Sequence, residues 1–299
     1  MRAGFIGLGN QGLPMARRIA AAGIPTTVWA RRPAVAAGAT EWGAEVAASP
    51  AELGAACDVV GVCVFDAIGV EEVLFGPRGV AEGMAAGGTV LVHSTVSPSE
   101  IRAIARRAGP HGITVLDAPV SGGPPAAEAG ELLVMLAGPA AAADLALPVI
   151  EAYAGRVIRL GEVGAAQLAK LLNNALLAAQ VALVQDALSV GAQHGIGDGL
   201  LDVLRTGSAR GFALDLLAMV GSVDALARSQ FGPTIDKDVR LLAGTLGPSA
   251  QRSALMDLAG DLIRQIAAAG SGPEPASGAD HQERGAATAS GSTKGVTQV

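Results

Sequence analysis

Aromatic side chains are scarce in this sequence: five Phe, two Trp and one Tyr, 3% of 299 residues. A core must therefore be packed mainly from Ala, Val, Leu and Ile, and apolar residues do make up 50% of the chain. Charge is scarce too, at 16%, with a net of −6. Such a chain lacks the basic excess that a nucleic-acid-binding face carries, so no nucleic-acid partner is expected. There are two cysteines, Cys57 and Cys63, and neither stands in a metal-ligand or redox spacing. That excludes a disulfide framework, leaves no metal to expect and makes a reducing cytoplasm the default location. Cys63 lies inside the apolar run DVVGVCVF and reads as a small buried hydrophobe. Unbroken apolar stretches of membrane-spanning length are missing as well. The longest candidate, NNALLAAQVALVQDALSVGAQ, is interrupted by Asn174, Gln180, Gln185 and Asp186, whereas a span needs about 18 or more apolar residues with few polar breaks. The apolar N-terminal stretch is not followed by a small-residue cleavage site. The sequence reads as a soluble protein with no membrane partner.

Glycine, by contrast, is plentiful at 41 residues, and the first of them are ordered. In MRAGFIGLGNQGLPMARRIAAAG an apolar run, Ala3 to Ile6, meets Gly7, Gly9 and Gly12 in G-x-G-x-x-G spacing, and a helical pattern follows at once. Strand, glycines and helix form the context that a dinucleotide fingerprint requires. Gly7 permits the tight turn, Gly9 lets the backbone approach a pyrophosphate, and Gly12 lets helix and strand pack closely. The helix N-terminus then offers free N–H groups and a positive dipole end to the phosphates.

The rest of the first half repeats this alternation. The runs AGFIG, TTVWA, DVVGVCVF, TVLVHS, ITVLDAP and RVIRL are continuous rather than alternating, as in strands buried on both faces of a parallel sheet. Between them stand two helix starts, SPAEL and SPSEI, each with a serine N-cap (Ser49, Ser97), a proline at the first helical position and a glutamate three residues after the cap (Glu52, Glu100). Both read as capping boxes. Alternating units of this kind predict an α/β fold, a Rossmann-type doubly wound sheet with right-handed crossovers. After about Gly161 no strand is predicted. A long helix is expected from about Ala165 to His194, with further helices around LLDVLRTG, FALDLLAMV, PTIDKDVRLLAGTL and SALMDLAGDLIRQIAAAG. The division expected is a nucleotide-binding part over 1–161, an all-helical part over 162–269 and a disordered tail over 270–299. In that tail Gly, Ser, Ala, Thr and Pro dominate and bulky apolar residues almost vanish.

The second strand bears on the cofactor. NAD sites usually carry an Asp or Glu about 20 residues past the fingerprint, on the ribose 2′-hydroxyl. Here the place reads WARRP, with Ala30, Arg31 and Arg32 and no carboxylate. Two guanidiniums suit a 2′-phosphate, which Arg holds bidentately, so NADP(H) is favoured over NAD(H).

Three polar interruptions carry the candidate chemistry. In VHSTVSP, Ser94 and Thr95 follow a buried strand, at the end of a parallel sheet where ligands bind. In LDAPVSGGPPAAEAGEL, Ser121 and the N–H groups of Gly122 and Gly123 suit a small concavity for a carboxylate. In GEVGAAQLAKLLNNALLAAQ, Lys170 and Asn174 are four apart and share one helix face, with Gln167 on the same line. Partial burial of such a lysine lowers its pKa and fits it for proton transfer, whereas a lysine that snorkels to solvent does nothing of the kind.

Taken together and in order, GFIGLGNQGLPMA, EEVLFG, STVSP, DAPVSGG, KLLNN and DKDVRLL resemble the β-hydroxyacid dehydrogenase family, which includes 3-hydroxyisobutyrate dehydrogenases and tartronate semialdehyde reductases. The resemblance spans about Ala3 to Leu242. It implies a cofactor loop formed by Gly7, Leu8, Gly9, Asn10, Gln11 and Gly12. Lys170 matches the catalytic lysine, and Asn174 the asparagine that orients the substrate beside it. Ser121, Gly122 and Gly123 match the substrate-carboxylate loop, and Thr95 a residue between nicotinamide and substrate. Lys237 matches a lysine that reaches the cofactor from the second part of the chain, with Asp238 structural. Phe65 and Asp66 replace the Leu-Pro that usually ends the corresponding strand beside the cofactor. Ala126, after Pro124 and Pro125, replaces a usual glycine, and Gln11 stands where Met is common. The reaction implied is reversible hydride transfer between NADP(H) and a small β-hydroxyacid or its semialdehyde. Phosphogluconate dehydrogenases share the scaffold but carry a Lys-x-x-His-Asn pattern, and here Asn173 fills the histidine slot. Imine reductases usually lack the lysine, so Lys170 disfavours them, and the pair Lys170 and Asn174 disfavours a non-catalytic NADP-binding module. Family members assemble through their helical parts, which implies a homodimer or a larger homo-oligomer.

Overall fold

The computed structural model describes residues 1–270; the expected tail lies outside them, apart from Gly270, which ends the last helix. Six parallel strands form the main sheet: β1 (Ala3–Ile6), β2 (Thr26–Trp29), β3 (Ala44–Val46), β4 (Val59–Val62), β5 (Thr89–Val92) and β6 (Thr114–Asp117), in the order β3-β2-β1-β4-β5-β6. The chain winds outward from β1 in one direction through β2 and β3, then crosses back to β4. The crevice between β1 and β4 is therefore the topological switch point, where open α/β sheets bind ligands.

The apolar runs are continuous because helices cover both faces of the sheet. Phe5, Val59 and Leu91 point into one layer with Met15, Ile19 and Tyr153. Their neighbours Ile6, Val60 and Val90 point into the other, with Leu53, Ile101 and Ile104. The SPSEI segment forms a complete capping box: Ser97 Oγ accepts from Glu100 N–H, and the Glu100 carboxylate accepts from Ser97 N–H. In SPAEL only half of the box forms. Ser49 Oγ accepts from Glu52 N–H, but the Glu52 carboxylate accepts from Ala48 N–H, one residue before the cap.

Three strands were not predicted. β3 is a short edge strand. β7 (Val120–Ser121) and β8 (Leu132–Leu136) form a second sheet with β9 (Ala154–Arg159), ordered β7-β8-β9, with β7 antiparallel and β9 parallel to β8. RVIRL thus belongs to this small sheet and not to the parallel one. As an edge strand it holds only half-buried and exposed residues. An antiparallel bridge between Asp117 and Ala137 joins the two sheets.

Beyond Arg159 the described chain is helical. The long helix Ala165–Gln193 buries Leu171, Ala175, Ala178, Val181 and Ala182 against the helices Phe212–Val220, Phe231–Thr245 and Ala254–Gly270. It is long and apolar enough to cross a membrane by length and composition, yet this face forms the core of the helical part. A short helix, Val223–Arg228, was not foreseen; Ser222 caps it by accepting from Ala225 N–H.

Candidate active site

The fingerprint glycines occupy three different steric situations. Gly7 has φ +96°, and a Cβ on it would lie 2.1 Å from the Cys63 carbonyl oxygen. A Cβ on Gly12 would lie 2.0 Å from the Gly7 oxygen and 2.9 Å from the Phe5 ring. Gly7 and Gly12 are therefore demanded by the fold itself. A Cβ on Gly9 would meet nothing within 4 Å, so the fold leaves open space there, of the kind a pyrophosphate needs. The following helix, Gly12–Ala21, has no side-chain cap and no acidic residue in its first turn, which leaves its N–H groups and positive dipole end for an anion. A cleft of about 500 Å³ opens beside Leu8, Gly9 and Asn10 and extends to Pro124 and Gln230. Asn10 Nδ2 donates to Gln230 Oε1 at 2.8 Å, which ties the fingerprint loop to the helical part. These features fit a dinucleotide.

At the end of β2, Ala30 is half-buried and Arg31 and Arg32 are exposed. Arg31 Nη2 donates to Glu72 Oε2 at 2.6 Å, from a helix (Ala67–Phe75) that follows β4. Asp66 caps that helix, its carboxylate accepting from Gly69 N–H. Phe65 is 63% exposed, and Lys237 Nζ lies 5.4 Å from its ring centroid, a cation–π distance.

The candidate chemical groups converge behind this loop. Lys237 Nζ donates to the Thr95 carbonyl oxygen at 2.7 Å and lies 3.1 Å from Asp238 Oδ1. The Asp238 carboxylate is fully buried, and its Oδ2 accepts from Asn174 Nδ2 at 2.6 Å. Asn174 Oδ1 in turn accepts from Asn173 Nδ2. Lys170, one helical turn before Asn174, is half-buried. Burial drives its pKa below the ordinary lysine value; the Asp238 carboxylate opposes this and the Lys237 ammonium adds to it. Asp238, which the sequence marks only as structural, thus meets both Lys237 and Asn174 directly and acts on Lys170 through its charge.

The first turn of the long helix is fixed to the strand ends. The buried Asp117 carboxylate accepts from Gly164 and Gln167 N–H. The Gln167 side chain accepts from Val96 N–H and donates to the Ser94 carbonyl, while Ser94 Oγ accepts from Val64 N–H. Gln167 therefore acts as a strut between STVSP and the helix that carries Lys170. The one local mark of Asp117 in the sequence is that it is a lone carboxylate closing an apolar strand.

Ser121 lies in β7. Gly122 and Gly123 follow with φ +127° and +71°, conformations that favour glycine. A Cβ on Gly122 would also strike that of Ala126 at 2.6 Å. Pro124 and Pro125 have no N–H, so the backbone donors of this loop end at Gly123. Among the described residues no hydrogen bond joins the loop to the Lys170 cluster. Burial pushes the Cys57 thiol up to about 11 and Cys63 up to about 12, so both are protonated.

Fold and site together describe a dinucleotide-dependent oxidoreductase with a lysine between two structural parts. The sequence pattern of the NAD binding domain of 6-phosphogluconate dehydrogenase matches residues 2–161. L-threonate dehydrogenase of Cupriavidus necator is 40% identical over 203 residues, 67% of this chain and 68% of its own. 3-Hydroxyisobutyrate dehydrogenase of Pseudomonas aeruginosa is 34% identical over 244 residues, covering 81% and 82%. Among solved structures, that of Mycobacterium tuberculosis 3-hydroxyisobutyrate dehydrogenase with L-serine superposes with a TM-score of 0.76 at 28% identity, covering 90% of this chain and 94% of the other. The chain belongs to the β-hydroxyacid dehydrogenase family and is an NAD(P)-dependent dehydrogenase of the 3-hydroxyisobutyrate dehydrogenase type.

Proposed function

We propose that this chain moves a hydride between NADP(H) and a small β-hydroxyacid or the matching semialdehyde, with Lys170 Nζ as general acid and base. The observation that carries the reading is the placement of Lys170. It is half-buried, its pKa is depressed, and it sits one turn from Asn174 in a cluster that reaches Thr95 at the C-terminal end of β5. A bound nicotinamide dinucleotide supplies the hydride acceptor or donor. As ammonium, Lys170 gives its proton to the substrate carbonyl oxygen during reduction. As the neutral amine it takes the hydroxyl proton during oxidation. A depressed pKa makes the neutral amine more accessible than in an ordinary lysine, and general acid–base help of this kind contributes roughly 10²–10⁴-fold.

The other residues position. Ser121 Oγ and the N–H groups of Gly122 and Gly123 hold the substrate carboxylate. Asn174, fixed by Asp238, orients the substrate beside Lys170. Lys237 holds the Thr95 backbone and faces the Phe65 ring at the cofactor edge. Arg31 and Arg32 hold the 2′-phosphate of NADP. A second copy of the chain covers the apolar stripe that the long helix leaves exposed, Leu172, Leu176, Leu183 and Val190. These residues lie four and seven apart, on one side of the helix, and a stripe of this kind marks an interface.

The test is a panel of semialdehydes, hydroxyacids and cyclic imines, including L-threonate and 3-hydroxyisobutyrate, run with both cofactors on the wild type and on Lys170→Ala. The variant should bind cofactor normally and lose about 10²–10⁴-fold in turnover. Near-wild-type rates in the variant would refute the role of Lys170. Tight cofactor binding with no turnover throughout would favour a binding module, and turnover of imines alone would favour an imine reductase.

A further inference from the structure

We propose that Glu72 sets how strongly this chain discriminates NADP(H) from NAD(H), a reading that rests on the assignment of Arg31 to the 2′-phosphate. The end of β2 lacks the carboxylate that a ribose 2′-hydroxyl usually meets. The fold supplies one from elsewhere. Arg31 stands just past β2, and Glu72 lies on the helix Ala67–Phe75 after β4, with 2.6 Å between Nη2 and Oε2. β1 pairs with both β2 and β4, so this ion pair bridges the two neighbours of the fingerprint strand. Its neighbour Glu71 is engaged separately, with Arg107 on the helix Pro98–Ala108. Arg32 makes no ion pair among the described residues, and both members of the Arg31–Glu72 pair are exposed.

The two cofactors meet this pair differently. A 2′-phosphate competes with the Glu72 carboxylate for the same planar guanidinium donors and is repelled by it at short range. NADP binding must therefore break or reorganise the pair. A 2′-hydroxyl is neutral and can donate to a carboxylate, so NAD binding leaves Arg31 neutralised and Glu72 in place. Glu72 thus narrows the preference that Arg31 and Arg32 create and keeps NAD(H) usable. Phosphate selectivity is accordingly shared between a residue that attracts the group and one that holds the attractor back.

Fluorescence titration of NADPH and NADH on wild type, Glu72→Gln, Arg31→Ala and the double variant tests this. Glu72→Gln should tighten NADPH by about two- to fivefold, the range for releasing one exposed ion pair, and leave NADH unchanged or weaker. The gain should shrink in 1 M salt, where such charges are screened. It should vanish in the Arg31→Ala background. An unchanged NADPH/NADH ratio in Glu72→Gln, or the same gain without Arg31, overturns the role of Glu72 while the Arg31 assignment stands. An unchanged ratio in Arg31→Ala overturns that assignment and the proposal with it.

Discussion

Gly9 and Gly12 are three residues apart in one motif, yet the structure assigns their replacement opposite consequences. At Gly12 an added Cβ would sit 2.0 Å from the Gly7 oxygen and 2.9 Å from the Phe5 ring. The first obstacle is backbone, so the strand or the helix must move. Overpacking of this severity costs about 3 kcal/mol, the upper end of the usual range. At roughly 2–4 °C per kcal/mol for domains of this size, Gly12→Ala should lower Tm by about 6–12 °C. At Gly9 the Cβ meets nothing within 4 Å and φ is not positive. Gly9→Ala should therefore fold normally, and the stiffer unfolded chain can add up to about 1 kcal/mol of stability. Its methyl group instead enters the open space proposed for the pyrophosphate. Losing one charge-assisted N–H···O contact costs about 1.5–3 kcal/mol, which weakens cofactor binding by about 10- to 150-fold. Thermal unfolding without cofactor and fluorescence titration with NADPH separate the two effects. Wild-type affinity in Gly9→Ala would show that the open space is not the phosphate site. Equal destabilisation of the two variants would refute the steric division.

Asp238→Asn keeps an acceptor for Asn174 but removes the charge that favours the Lys170 ammonium. In the oxidation direction, which needs neutral Lys170, the rising limb of the kcat/KM pH profile should move to lower pH; an unmoved limb would detach Lys170 from Asp238. His93 is buried, and desolvation lowers its pKa from 6.5 to about 4. The folded state therefore favours the neutral ring, and its contribution, on the order of 3 kcal/mol, is complete above pH 6.5 and lost as pH falls toward about 4. Urea unfolding across that window should show the loss, and His93→Gln should flatten it. The 2.7 Å contact of His93 Nδ1 with the Ala118 oxygen puts the proton on Nδ1, so Nε2 accepts from the Tyr153 hydroxyl at 3.3 Å. Tyr153→Phe orphans that buried acceptor and should cost about 1–3 kcal/mol in the same assay at neutral pH. Leu176, 52% exposed in the single chain, belongs to the stripe assigned to a second copy. Leu176→Arg should lower the molar mass measured by light scattering, and an unchanged mass would move the interface elsewhere.

What could be read directly from the sequence were features whose cause is local. The central strands declared themselves because both faces of the sheet are covered, which removes polar residues from β1 and β4 and leaves only Thr89 in β5. Ser97 and Glu100 announced a helix start because cap and partner lie within one turn. The fingerprint glycines were legible because backbone collisions leave no other residue at Gly7 and Gly12. What was missed depends on distant partners or on very short elements. β7 is two residues long, too short for any periodicity. β8 is a five-residue apolar run, which periodicity alone cannot separate from buried helix. β9 was legible as a strand but not as an edge, because its neighbour was the unrecognised β8. Glu72 meets Arg31 across 41 positions and Asp238 meets Asn174 across 64, separations that no single-chain pattern encodes. Lys170 became recognisable only as one of an ordered set of motifs. Its burial, the property that suits it to the proposed proton transfer, follows from tertiary packing.

Gln167 and Asp117 bear on where the molecule can bend. By secondary structure the chain divides near Gly161, where strands give way to helices. Mechanically the division falls later. The first turn of the long helix is bolted to the ends of β5 and β6 by its own backbone and by both ends of the Gln167 amide. Lys170, three residues on, rides with the sheet and not with the helices it belongs to by sequence. Any swing of the helical part would have to break the Asn10–Gln230 and Lys237–Thr95 hydrogen bonds, while Lys170, the proposed proton donor, stays in register with the strand ends. A chimera that exchanges helical parts between relatives would accordingly keep its catalytic alignment if joined after Asn174, and lose it if joined at residue 162.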